Sequence, residues 1–107
     1  VLIKQGEISD DGGVDNWNPT QYLNIWVVSA HPDSTTLGYA AFPSDLSTYP
    51  AEDGVVLRHE VVGNTGTAGS GVFSANDLGR TATHEVGHWL NLRHIWGDDY
   101  CGNDFVD

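Results

Sequence analysis

The stretch "HEVGHWLNLRH", His84 to His94, decides how the rest of the chain is read. At about 100° per residue, His84 and His88 fall roughly 40° apart and one turn from each other, so their imidazoles converge on one side of a helix. Glu85 stands next in sequence and swings toward the same place. His94 does not fit that helix, because a straight continuation would carry it about 9 Å past His88 along the axis. The chain must therefore turn between them, and Asn91 is where it can. A helix ending in a reversal wants a residue that takes the left-handed conformation, and asparagine is the usual substitute for glycine there. The spacing thus predicts a helix that stops at Asn91 and a third imidazole brought back beside the first two. Two histidines one turn apart with an intervening glutamate suit a Zn²⁺ ion, which binds imidazole nitrogen at about 2.0–2.1 Å.

Working outward, "LGRTATHEVGHWL" reads as the helix, with Asn76 or Asp77 able to cap it. Leu78, Ala82, Val86, Trp89 and Leu90 follow the helical period and form an apolar stripe for packing on a sheet. "YLNIWVVS", Tyr22 to Ser29, is nearly apolar throughout and predicts a central strand buried on both faces. "LGYAAFP", Leu37 to Pro43, has a glycine inside and a proline at its end, which places it at a sheet edge. A further strand is expected from Val55 to Arg58, with room to extend to Val62. Trp17, Trp26 and Trp89 are expected in the core or the wall of a cleft. "GNTGTAGSG", 63 to 71, reads as a flexible surface loop. It lacks the lysine that a phosphate-cradling loop needs after its glycines, and no acidic residue is placed as a dinucleotide site requires. The fold class is α/β: a small twisted mixed sheet with an antiparallel edge strand, packed on the histidine-bearing helix.

The 107 residues suffice for one domain or part of one. Four Lys plus Arg against fifteen Asp plus Glu give a formal charge of -11, which repels phosphate backbones and anionic membrane surfaces. Nucleic acid is not an expected partner. The apolar runs fall far short of the roughly 20 residues that span a bilayer. The chain begins at a valine and contains no methionine, so we expect a segment of a longer protein. Cys101 is the one cysteine, and its residue type alone leaves open a buried thiol, a reactive thiol or half of a disulfide. "GDDYCGNDFVD", 97 to 107, is able to ligate Ca²⁺ through oxygen and equally able to be a plain acidic loop. His31 and His59 have no matching spacing and receive no ligand role. Composition suits export, and the oligomeric state has no signal in the sequence.

"HEVGHWLNLRH" resembles the long zinc signature HExxHxxGxxH of the metzincin metallopeptidases, with Asn91 at the glycine position. The longer string "GRTATHEVGHWLNLRHIWGD" resembles the pappalysin family within that clan. "NWNPTQYLNIWVV", "LGYAAFP" and "DGVV" are similar in wording and order to its strands, so the likeness runs from about residue 14 to residue 107. The resemblance implies a zincin-like upper subdomain, with residues 1–107 part of a catalytic domain. The methionine turn of these enzymes would then lie beyond Asp107. It further implies zinc held by His84, His88 and His94, and Glu85 as the general base in hydrolysis of peptide bonds. A protein or peptide substrate would lie extended beside Gly38, Tyr39 and Ala40, paired main chain to main chain. Cys101 would pair with a downstream cysteine, and the protein would be secreted. The rival readings are a zinc-binding adhesion module and a catalytically inactive relative. Structural zinc is usually closed by four protein ligands, whereas catalytic zinc holds three and leaves one position open.

Overall fold

A computed structural model describes residues 13–29 and 35–94. The expectations for His31, Cys101 and the acidic stretch 97–107 lie outside the described residues. The architecture is mixed α/β. Among the described residues, strands β1 (Ile25–Val28), β2 (Gly38–Ala40) and β3 (Val55–Arg58) form one sheet, and one α-helix, α1 (Arg80–Trp89), packs on β2 and β3. None of the described helices is long and apolar enough to cross a membrane.

The strand order is β1-β3-β2, with β1 parallel to β3 and β2 antiparallel to it. β3 therefore takes the central position expected of β1. Its four residues are all buried, Val55 and Leu57 among them, while Ile25 and Val27 of β1 are exposed. The reason is that an apolar run shows that a segment prefers a sheet but not how many neighbours the sheet supplies. Val55 and Val61 are fully buried and anchor the core. β3 ends at Arg58 rather than Val62, because His59–Val61 closes into a 3₁₀ turn. Arg58 is itself buried, and its guanidinium is served by Glu60, 3.2 Å from Nε, and by the face of Phe73, 4.5 Å from Cζ. That pairing is what allows a cation to end a central strand. In return, the hydrogen bond from Arg58 holds the Glu60 carboxyl below its ordinary value.

Gly54 lets β1 and β3 approach. Its φ is 132°, and a Cβ there would lie 2.4 Å from the Asn24 carbonyl oxygen. The "GNTGTAGSG" loop is tied down by hydrogen bonds. The Gly69 N–H donates to the Glu60 carbonyl at 2.7 Å, and Thr67 Oγ1 meets His59 Nδ1 at 3.1 Å.

The helix is shorter at its start than the apolar stripe predicts. Gly79, at φ 67°, sits in the left-handed region and acts as the N-cap, so neither Asn76 nor Asp77 caps the helix and Leu78 lies outside it, exposed. Leu90 is exposed too, at the other end. Trp17 is likewise exposed, set edge-on against Tyr22 with ring centroids 5.2 Å apart, and is not a core residue.

Candidate metal centre

The C-terminal end of α1 carries both chain-reversal bonds of a Schellman motif. The Asn91 N–H donates to the His88 carbonyl at 2.8 Å, and the Leu92 N–H to the Gly87 carbonyl at 2.9 Å. Asn91 has φ 71°, the left-handed conformation that the turn requires. The exposed Leu92 side chain lies over Gly87, where an added Cβ would be in ordinary van der Waals contact, 3.8 Å from Leu92 Cδ1. This turn returns the chain toward the helix and brings His94 back beside it.

The three imidazoles meet through the same atom. Nε2 of His84 lies 2.9 Å from Nε2 of His88 and 3.0 Å from Nε2 of His94, and the last two are 3.1 Å apart. His88 Nδ1 donates to the Leu92 carbonyl at 2.7 Å, which fixes its proton on Nδ1 and leaves Nε2 as a bare lone pair facing the other two rings. The Schellman turn thus does two things: it delivers His94, and it aims the carbonyl that orients His88. Three ring nitrogens this close cannot all carry protons, and three lone pairs pointed at one spot repel unless a cation lies between them. Zinc at about 2.0–2.1 Å from tetrahedral nitrogen ligands keeps those ligands about 3.3 Å apart, so the triangle is of the right size to within a few tenths of an ångström. Among the described residues these three are the one group of His, Cys, Asp and Glu placed to hold a metal, and they offer three ligands rather than four.

Glu85 is buried beside them, with 7% of its surface exposed. Loss of solvent raises its carboxyl above the ordinary value, and the electrostatic influence of His84, His88 and His94 works against that rise. Its side-chain stem lies on the sheet side of the helix, close to Gly38.

The edge strand divides the work of Gly38, Tyr39 and Ala40. Arg58 donates its N–H to the Leu37 carbonyl and Ala41 donates to the Gly54 carbonyl, so the odd-numbered residues of β2 bond to β3. By alternation, the N–H and C=O groups of Gly38 and Ala40 turn toward the outer edge. Tyr39 instead spends its main chain on β3, opposite Val56, and directs its ring to the sheet face away from the helix. Burial first, and the Glu52 carboxylate second, raise its phenol above the ordinary value.

Three contributors to the site were not visible as such in the sequence. Phe42, just after β2, sets its ring 5.3 Å from that of His88, with the Arg93 guanidinium 5.5 Å above the same ring. Trp89 Nε1 donates to the buried Asp53 carboxylate at 3.1 Å, tying the end of the helix to the start of β3. The third is the Leu92 carbonyl. A backbone oxygen has no residue type to read, and the other two contacts join residues far apart in sequence.

The turn gives a direct prediction. A β-branched residue at φ 71° is strained by about 1–3 kcal/mol, so Asn91→Val is expected to lower the unfolding temperature and weaken zinc binding together. Asn91→Gly should be neutral or slightly stabilising. Thermal unfolding and zinc competition titration on the two variants check this, and equal behaviour of Val and wild type would refute it.

Comparison with known proteins agrees with this geometry. The family model described as pregnancy-associated plasma protein-A matches residues 6–107. The chain is 40% identical over 85 residues to an extracellular metalloprotease of Colletotrichum graminicola, covering 77% of this chain and 27% of that protein. It is 44% identical over 75 residues to extracellular metalloprotease 1 of Coccidioides posadasii, covering 65% of this chain and 25% of that one. Among solved structures, mature mirolysin of Tannerella forsythia in complex with a cleaved peptide superimposes with a TM-score of 0.75 at 50% identity, over 91% of this chain and 34% of that one. Mirolysin in complex with compound 9 gives 0.76 at 49% identity with the same coverage. The chain therefore spans about a quarter to a third of the relatives it matches. A family match across nearly the whole sequence, a shared fold and a histidine triad at the end of the helix together place this chain in the pappalysin family of metzincin metallopeptidases.

Proposed function

We propose that this chain forms the part of a secreted zinc endopeptidase that carries the metal and the general base. The convergence of three Nε2 atoms within 3.1 Å of one another is the observation that carries the reading. His84, His88 and His94 would hold Zn²⁺, with His88 oriented by its hydrogen bond to the Leu92 carbonyl. Bound zinc supplies a positive charge that polarises a carbonyl and makes a water molecule acidic enough to lose a proton near neutral pH. Glu85 accepts that proton and passes it to the departing amine. Its burial favours this role, since a carboxylate held out of solvent is a stronger base.

The substrate is an extended peptide lying along the outer edge of β2, where the main chains of Gly38 and Ala40 pair with it as an added strand. Such pairing selects for unfolded backbone before side-chain identity. The extracellular naming of the relatives supports secretion. A disulfide at Cys101 would need a cysteine from outside these 107 residues, since the sequence holds no second one. The carboxylates of the acidic stretch 97–107 suit it as a Ca²⁺ site.

The test is zinc dependence of peptidase activity in the natural full-length chain. Removing metal with a chelator is expected to abolish cleavage of an unstructured protein substrate, and stoichiometric zinc to restore it. Full activity after verified removal of metal would contradict the reading. A structural zinc in an adhesion module would show instead as metal-dependent folding without cleavage.

A further inference from the structure

We propose that Gly38 is a positioning residue for Glu85: its bare Cα is the surface on which the glutamate stem lies, so the edge strand that receives substrate also sets where the proton-accepting carboxylate sits. This rests on the reading of Glu85 and β2 given above and adds a role that neither the histidine signature nor the strand pattern assigns.

The glycine is required for space rather than for backbone conformation. Gly38 is not among the residues with positive φ, so any residue could adopt its dihedral angles. A Cβ at this position would, however, lie 2.7 Å from the Val56 carbonyl oxygen, 3.1 Å from Leu57 Cδ2 and 3.2 Å from Glu85 Cγ. The first of these is backbone of the central strand and cannot swing aside. The clash with the Val56 oxygen must be relieved by a shift of β2, while the 3.2 Å contact requires the stem of the buried Glu85 to give by a few tenths of an ångström. Gly38 pairs directly with Leu57, and paired residues share a sheet face, so the gap it leaves opens toward α1. Ala40, two residues on and on the same face, adds only a methyl group. Helix and edge strand thus approach closely where the base emerges.

The consequence is that one residue serves two neighbours. The outward N–H and C=O of Gly38 meet the peptide, while its Cα face supports the group that handles the proton. A Cβ would shift Glu85 relative to the peptide by several tenths of an ångström, and a misplacement of about 1 Å costs on the order of 10²-fold in rate.

The experiment uses Gly38→Ala in the natural full-length chain loaded with zinc, with a peptide spanning a cleavage site as probe. The expected result is full zinc content, a kcat lower by about 10- to 100-fold and a KM within about threefold of wild type. A second arm measures binding of the same peptide to Glu85→Ala and to Glu85→Ala/Gly38→Ala, where there is no glutamate stem to displace. Equal affinity of those two proteins supports positioning. Affinity falling there as far as kcat/KM falls in the glutamate-bearing pair would mean that Gly38 acts on peptide pairing alone and would overturn the proposal, as would an unchanged kcat in Gly38→Ala. Retention of turnover by Glu85→Ala itself is a separate outcome, and it defeats the assignment of the base. Should Gly38→Ala not fold, a crystal structure of the unsubstituted zinc-loaded protein decides: the Glu85 stem in van der Waals contact with Gly38 supports the proposal, and a stem turned away from it overturns it.

Discussion

Glu85→Ala is expected to keep its zinc and to lose peptidase turnover by about 10²- to 10⁴-fold, the range that a positioned general acid and base supplies. The two halves of this result follow from different features of the structure. Zinc is retained because the converging nitrogens belong to His84, His88 and His94, and the hydrogen bond that orients His88 is accepted by the Leu92 carbonyl rather than by Glu85. Turnover is lost because alanine offers no group to take a proton. The substitution also removes a buried carboxylate whose charged form is disfavoured by loss of solvent, so the fold should not suffer. Metal analysis, thermal unfolding and steady-state rates on the same preparation separate the three effects. Activity within threefold of wild type would remove Glu85 from the chemistry. Loss of zinc alongside activity would show that the glutamate supports the metal instead.

The second large effect is expected at His94. Breaking a hydrogen bond to a zinc ligand costs about 10- to 100-fold in metal affinity, and deleting a ligand costs more. His94→Ala should therefore weaken zinc binding by more than about 100-fold and abolish turnover at micromolar metal. His59→Ala serves as the control. Its ring is engaged with Thr67 and Glu60 at the far end of β3 and does not join the three-nitrogen cluster, so zinc affinity should not change. Competition against a chelator of known affinity measures both variants. Similar affinities for the two would mean that the nearness of His94 to His84 and His88 has no part in binding.

Glu85 and His94 were both readable from the stretch His84–His94, one by its place beside His84 and the other through the turn before it. The turn at Asn91 was legible because the chain had to reverse between His88 and His94, and asparagine is one of few residues suited to the left-handed conformation. β3 was legible over Val55–Arg58, since an Asp-Gly pair precedes a short β-branched run. The centre of the sheet was not. Tyr22 to Ser29 is the most apolar run, yet β1 lies at an edge of the described sheet and β3 at its middle, because pairing is decided by partners that a local pattern does not contain. The start of the helix was misplaced for a related reason. Leu78 fits the helical period, but Gly79 at φ 67° breaks the helix before that residue can join it. Gly38 shows a further limit. Read locally, it marks an edge-strand position; in three dimensions it lies against the Glu85 stem, and only the neighbours of its missing Cβ reveal that.

The most direct measurement of the central claim is anomalous diffraction at the zinc absorption edge from crystals of the natural full-length chain. The expected map has one strong peak at about 2.0–2.1 Å from Nε2 of each of His84, His88 and His94, with a non-protein oxygen in the fourth position. A peak bound by His84 and His88 with His94 remote from it would contradict the account, as would a metal closed by a fourth protein ligand.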